Sequence, residues 1–306
     1  MRKAYSGSCR SCNGTITELR GFMKILYCSD LHLREDRPIC RTDEDWIETQ
    51  RLQLNFIANT AAEHSAIVLI GGDIFHRPQV PDYIKNMFID AFLGLEVYAI
   101  AGQHDLPWHM FDKINQSSFG VLRNAGVIKD PVFCGYAHYG QEPTVKNGMV
   151  VIHESIFATA KDCPPGMKAY TAVEIFDKYP DAKWIFSGDI HTGFRERQQG
   201  HHLIMGGCMN RQASDMIDYE PKVWFIDTDT DEVKSILVPD DVSMVTDIHI
   251  QNKEEREDRI TAFVTSIKDS KTVSLDFSDN VELAIKNDPE LAEGVVNKIY
   301  ELMEAK

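Results

Sequence analysis

Two short stretches of the chain share one figure. "KILYCSDLHLRED" runs Ile25-Leu26-Tyr27 into Asp30-Leu31-His32, and "AKWIFSGDIHTGF" runs Trp184-Ile185-Phe186 into Asp189-Ile190-His191. Side chains alternate along an extended segment, so residues i and i+2 point the same way and an Asp-x-His pair can grip one ion. Three more apolar runs end in the same residue types: Asp73 in "LIGGDIFHRP", Gln103 and His104 in "AIAGQHDLP", and His153 in "VVIHES". Mixed carboxylate, imidazole and amide donors suit manganese, iron or zinc, whereas an all-oxygen set would point to magnesium or calcium. A central carboxylate, here Asp73, can bridge two ions about 3.5–4 Å apart, the spacing that clamps the attacking and leaving oxygens of a phosphoryl displacement. Phosphoester hydrolysis is the reaction implied.

Such residues must be carried by a frame that brings strand ends together. Short aliphatic runs alternate with longer helical patterns: Ile25 to Cys28, the helical stretch Trp46 to Glu63, "SAIVLIGGD", the helical "DYIKNMFIDAFLGL", then "EVYAIAGQHD". Strands follow at "GMVVIHES", "AKWIFSGDIH", "HHLIMGGCMN" and "KVWFIDTD". This is the rhythm of an α/β sandwich, a layered fold in which ligands bind where strand ends converge. After Pro239 the pattern changes, and from Asp247 onward it reads strand, helix, strand, helix, the last helix carrying Leu291, Val295, Ile299 and Leu302. The expected organisation is an N-terminal extension over residues 1–22, a main domain over 23–240 and a small α/β domain over 241–306.

With 306 residues and a net charge of −15, the chain does not hold nucleic acid by bulk electrostatics. No apolar run approaches the ~20 residues that span a bilayer, and the N-terminus lacks the apolar core of a signal peptide, so the expected location is cytoplasmic, with no membrane association. Seven scattered cysteines read as reduced thiols. Cys9 and Cys12 form the one C-x-x-C pair, a zinc site only if a second pair joins it. Arg77, Arg195, Arg197 and Arg211 fall near the expected strand ends and are candidates for phosphate-backbone contacts.

The series "SDLHL", "GGDIFHRP", "GQHD", "IHES" and "SGDIH" resembles the signature of calcineurin-like metallophosphoesterases from Met23 to about Asp227. Within that superfamily "GDIFHRPQVP", followed by a compact C-terminal capping domain, looks most like the SbcD-type DNA repair exonucleases. The resemblance implies the layered fold, two divalent ions with Mn2+ foremost and Mg2+, Fe2+ or Zn2+ as alternatives, and exo- or endonucleolytic cleavage of DNA. It also implies an SbcC-type coiled-coil ABC ATPase and a second copy of the chain as partners. By position it puts Asp30, His32, Asp73 and His191 on one metal and Gln103, His153 and Asp189 with Asp73 on the other. His104 becomes a general acid or transition-state stabiliser oriented by Asp105, and His76 a neighbour that places the nucleic-acid backbone.

Two positions depart from the pattern: the family usually has Asn at Gln103 and His-x-His at Asp189-Ile190-His191. Gln carries the same amide oxygen on a longer stem, and Asp is a harder donor than imidazole that favours manganese or magnesium. Other readings stand beside the nuclease. Asp105 can simply cap the turn before Pro107, and the acidic composition suits a small-molecule phosphodiesterase or phosphatase. Loss of ligands would suit a non-catalytic scaffold.

Overall fold

In the computed structural model, which describes residues 23–269, 277–288 and 290–304, the apolar runs become short strands. In chain order these are β1 (Lys24–Cys28), β2 (Ile67–Ile70), β3 (Val97–Ala99), β4 (Gly135–Tyr136), β5 (Met149–His153), β6 (Ile156–Phe157), β7 (Tyr170–Thr171), β8 (Trp184–Gly188), β9 (Arg195–Gln198), β10 (His201–Met205), β11 (Lys222–Asp227) and β12 (Glu232–Leu237). They form one sheet in the order β12-β11-β1-β2-β3, a second in the order β4-β5-β8-β10-β9, and the small pair β6-β7. β1, β2 and β3 run parallel, as do β4, β5, β8 and β10, while β11 lies antiparallel to β1 with Leu26 opposite Phe225.

The period of two along each strand explains why the sheets stack. Ile25 and Tyr27 point into a shared core with Leu69, Val151, Phe186 and Ile204, so this cluster joins the two sheets. Tyr27 and Phe186 meet there with ring centroids 4.9 Å apart. The alternate residues Leu26 and Cys28 point the other way, toward Leu54 and Ile57 of α1 (Trp46–Glu63) and Phe88 of α2 (Asp82–Phe92), with Phe119 of α3 (Ser118–Asn124) in the same cluster. On the far side, Val150, Ile152, Ile185 and Leu203 bury Ile175 and Phe176 of α4 (Ala172–Lys178). The result is the expected layered α/β sandwich, helix on sheet on sheet on helix. Each fully buried Leu, Ile or Phe contributes about 1.5–3 kcal/mol of transfer free energy, so the double-sheet core holds the strand ends in fixed positions.

The chain divides into two units, Met1–Val245 and Thr246–Lys306. The described part of the second is helical: α5 (Ile248–Asp269), α6 (Phe277–Asn287) and α7 (Glu293–Glu304). This corrects the strand expected at its start. Ile248 and Ile250 alternate as in a strand, but the charged straight-chain residues that follow favour helix, and the Thr246 hydroxyl accepts from the Ile248 N–H at the first turn. The second strand of that expected pattern lies outside the described residues, as do residues 1–22 with Cys9 and Cys12. Leu291 precedes α7 rather than sitting on it. Among the described residues Cys28, Cys40, Cys134, Cys163 and Cys208 are free thiols, and no helix is long and apolar enough to cross a membrane.

Candidate metal centre

Each donor stands where a strand ends. The loop after β1 carries Asp30 and His32, the loop after β2 carries Asp73, and the loop after β3 carries Gln103 and His104; β5 ends on His153 itself, and the turn after β8 carries Asp189 and His191. The backbone turns sharply at these points. Asp30 (φ 52°), His32 (φ 45°), Asp73 (φ 53°) and Asp189 (φ 86°) all lie in the left-handed region, which costs a non-glycine residue of order 1–3 kcal/mol and persists only where surrounding contacts fix it. Here the first two loops are stitched together: the Asp30 N–H donates to Gly72 O and the His32 N–H to Asp73 O, each at 3.0 Å. Gly102 packs so closely on Asp73 that a Cβ there would overlap its Oδ1.

The side chains converge. His32 Nε2 lies 3.0 Å from His191 Nε2, and 4.0 and 3.9 Å from carboxylate oxygens of Asp30 and Asp73. His153 Nε2 lies 3.3 Å from Asp73 Oδ2 and 3.9 Å from Asp189 Oδ1. Asp189 is held by donation from Gln103 Nε2 and Ser155 Oγ, and its N–H donates to Asp30 Oδ1 at 3.1 Å. Asp73 Oδ1 accepts the His104 N–H at 2.8 Å. All seven residues expected as ligands from the sequence thus meet at one place. Asp30 joins two of the three groupings whose donor atoms lie within 4.8 Å of one another, His32 with His191 and Asp73 with His153, and the third brings His32 together with His76 and His104.

The donor set fits divalent ions on an observation independent of any likeness. His153 Nδ1 donates to Gly71 O at 2.6 Å, so its Nε2 lone pair points at the Asp73 carboxylate. Two acceptors face each other, and only a proton or a cation reconciles them. Asp73 Oδ2, Gln103 Oε1 and His153 Nε2 are all buried without a hydrogen-bond partner, an arrangement that costs free energy unless something positive is shared among them. His32 Nε2 and His191 Nε2 are also spaced like two ligands of one ion at about 2.1 Å each.

Electrostatics without an ion records the same frustration. Burial lowers the His153 pKa, but Asp73, Asp30 and Asp189 outweigh it and carry it up to about 10. Burial pushes Asp30 up to about 6 against the pull of His153 and His191. Asp73 goes the other way, since the three imidazoles around it overcome its burial and hold it ionised well below the ordinary range. Burial, helped by the neighbouring imidazoles, drives His32 well down, which leaves it the neutral ligand form.

The remaining expected residues divide. His104 lies at the centre, its ring 4.8 Å from His32 and 5.4 Å from His76. Its orienting partner is not Asp105: His104 Nδ1 meets His76 O at 2.9 Å, leaving Nε2 as the working atom. Asp105, fully buried, instead accepts the N–H groups of Ile74, Phe75 and Gly102 and so braces the loop of Asp73 against the loop of His104. Nor is Asp105 tied to the turn before Pro107. His76 sits beside the ligands as expected, with burial lowering its pKa to about 4. Arg77 is exposed near the site, paired loosely with Asp36 at 4.0 Å. Arg211 is a correction: buried, with its guanidinium bound to Asp240 at 3.0 Å, it is a structural residue rather than a substrate contact. Arg195, on β9, donates to His202 Nδ1 at 3.1 Å. Ser29 and Ser155, which donate to Asp30 and Asp189, were missed from the sequence; the signal available was their place, one residue before or two after a ligand on the same strand end.

A sequence model described as calcineurin-like phosphoesterase matches residues 23–193. Comparison with curated proteins finds no match. Among solved structures, a novel archaeal phosphodiesterase aligns over 70% of this chain and 99% of its own, at 14% identity and a TM-score of 0.40. A predicted phosphoesterase from Streptococcus pneumoniae TIGR4 aligns over 71% and 99%, at 11% identity and 0.34. A putative 5'-nucleotidase from Staphylococcus aureus, in complex with alpha-ketoglutarate, aligns over 87% and 58%, at 10% identity and 0.44.

Proposed function

Because the chain belongs to the calcineurin-like phosphoesterase family, and so hydrolyses phosphoester bonds at a divalent-metal site, we propose that its substrate is a phosphodiester of DNA. The observation that carries the hydrolytic reading is the convergence of donor atoms, His153 Nε2 on Asp73 Oδ2 at 3.3 Å and His32 Nε2 on His191 Nε2 at 3.0 Å, with Asp30 joining each pair. The extension to DNA rests on the SbcD-like "GDIFHRPQVP" segment, which sets His76 against His104 and Arg77 at the exposed edge of the same loop. On this reading Asp30, His32, Asp73 and His191 hold one ion and Asp73, Gln103, His153 and Asp189 the other, with manganese favoured by the mixed donors. When bound, such ions supply positive charge to the phosphoryl oxygens. The chain's own residues do the rest. His76 O accepts the Nδ1–H of His104 and so fixes the ring; in the imidazolium form the second proton, on Nε2, passes to the departing oxygen and leaves the neutral ring behind. Asp105 holds the two loops at the separation this transfer needs. A nuclease of this kind would work in the cytoplasm with an SbcC-type ATPase and as a homodimer.

A small-molecule phosphodiesterase is the second reading, favoured by a cavity beside Asp189. The complete donor set weighs against a non-catalytic scaffold. The test is hydrolysis of end-labelled linear duplex DNA with manganese, beside a chelator control and Asp73→Asn. Cleavage that needs metal and is lost in the variant supports the nuclease; hydrolysis of a chromogenic phosphodiester without DNA cleavage moves the assignment to the small-molecule enzyme.

A further inference from the structure

A cavity of about 620 Å³ opens beside His153 and Asp189, walled by His109, Tyr139, Glu154 and Tyr170. It borders Gln103, His153 and Asp189, donors assigned above to the second ion, so an ester substituent of a phosphate held there would have room to extend into it. The volume lies within the roughly 300–1,000 Å³ of small-ligand sites, room for one nucleoside. Its wall has matching chemistry. The Tyr139 ring stands edge-on between His109, at 6.2 Å, and His153, at 6.5 Å, and Met167 adds a polarisable surface. Glu154 contributes a half-buried carboxylate, an acceptor for the N–H or O–H groups of a base or sugar.

The backbone is built at some cost to present this wall. Trp108 (φ 53°) and His109 (φ 59°) are consecutive non-glycine residues in the left-handed region, a rare pairing for bulky side chains. The turn is pinned by the His109 N–H donating to Leu106 O at 3.0 Å and the Met110 N–H to Pro107 O at 3.1 Å, over the buried Leu106 and Pro107. It follows directly on the Gln103-His104 loop, and the Leu106 N–H donates to Gln103 O at 3.3 Å, which ties the wall to the site. Lys168 is the one lysine or arginine among the lining residues, beside the acidic Glu154 and Asp189, too little positive charge to follow a polyanionic strand in a chain of net charge −15.

We propose that this cavity is a nucleoside subsite: it takes the sugar and base of a terminal nucleotide whose phosphodiester lies on the metal centre, with Tyr139 as the specificity-determining residue. The inference rests on the phosphodiesterase reading and narrows it to substrates that enter by an end.

The experiment uses the full chain with manganese and compares kcat/KM for thymidine 5'-(p-nitrophenyl phosphate) with that for methyl p-nitrophenyl phosphate. A preference of on the order of 10- to 100-fold for the thymidine ester is expected, the scale of one base stacked on an aromatic side chain. Tyr139→Ala and the cavity-filling Met167→Trp, the latter on an exposed loop, each bring the ratio toward one, and Tyr139→Phe keeps it. A ratio near one in the unaltered chain, unmoved by the variants, overturns the subsite and leaves the phosphodiesterase reading standing. Should neither ester be hydrolysed, the functional reading falls, and equilibrium dialysis of thymidine 5'-monophosphate against inorganic phosphate decides the cavity by itself. Tighter binding of the nucleotide, lost in Met167→Trp, upholds it; equal binding overturns it.

Discussion

Raising the pH from 7 to 9 separates the metal-free chain from the loaded one. Without metal, His153 holds its proton up to about pH 10 in the folded state, against about 6.5 when unfolded. Burial and the neighbouring Asp73 push the Asp105 carboxyl up to about 8, against three backbone donors that lower it, and its unfolded value is about 3.9. In both cases the fold binds more protons than the unfolded chain. Stability is therefore fullest below the unfolded value and drains away as pH rises through the folded one. Across pH 7 to 9 linkage gives a loss of about 1 kcal/mol from Asp105 and about 2–3 kcal/mol from His153, roughly 4 together. For a domain of this size that is a fall in Tm on the order of 10 °C. A divalent ion takes the place of the proton between His153 and Asp73, so the His153 part of the slope should flatten, and metal uptake at pH 7 should release about one proton. Thermal melts followed by circular dichroism at pH 7, 8 and 9, in chelator and in excess manganese, read the slope directly. Parallel lines in the two conditions would refute the assignment of His153 and its neighbours to a metal site.

Two further expectations concern single side chains. His104→Ala should lower kcat by about 100- to 10,000-fold on an alkyl phosphodiester and far less on a p-nitrophenyl ester, whose leaving group needs no proton; equal losses on both substrates would count against the general-acid role. In Gly102→Ala the new Cβ presses on Asp73 Oδ1, so a loss of about 1–3 kcal/mol in urea unfolding should accompany weaker manganese binding by titration calorimetry; a variant as stable and as tight as the parent would show that the Asp73 loop yields.

Much of the site was legible because its donors are local signals. An apolar strand followed by Asp, Gln or His reads in a window of ten residues, and the structure brings the seven candidate donors from Asp30 to His191 to one place. What the sequence concealed was long-range or polar. Asp105 pairs with backbone groups 30 and 31 residues away, and nothing near it in the chain announces them. Arg211 finds Asp240 through folding alone. β9 is the polar "RERQ", and β12, at the sheet edge, is largely exposed, while β4, β6 and β7 are two residues each; none offers the buried aliphatic run that marks the seven strands read from the sequence. At Ile248 a two-residue period suggested a strand, and the helix-forming run behind it prevailed.

The donors divide by sheet. Asp30, Asp73 and Gln103 leave the first, and His153 and Asp189 leave the second. An ion shared between His32 and His191 ties together positions 159 apart in the chain, closing a loop whose entropy the polypeptide must otherwise meet through packing alone. The metal is in that sense a cross-link as well as a reagent. Its departure would loosen the seam between the sheets before it disturbed either sheet, and a chain caught between synthesis and metal loading would be most open to proteases along that seam.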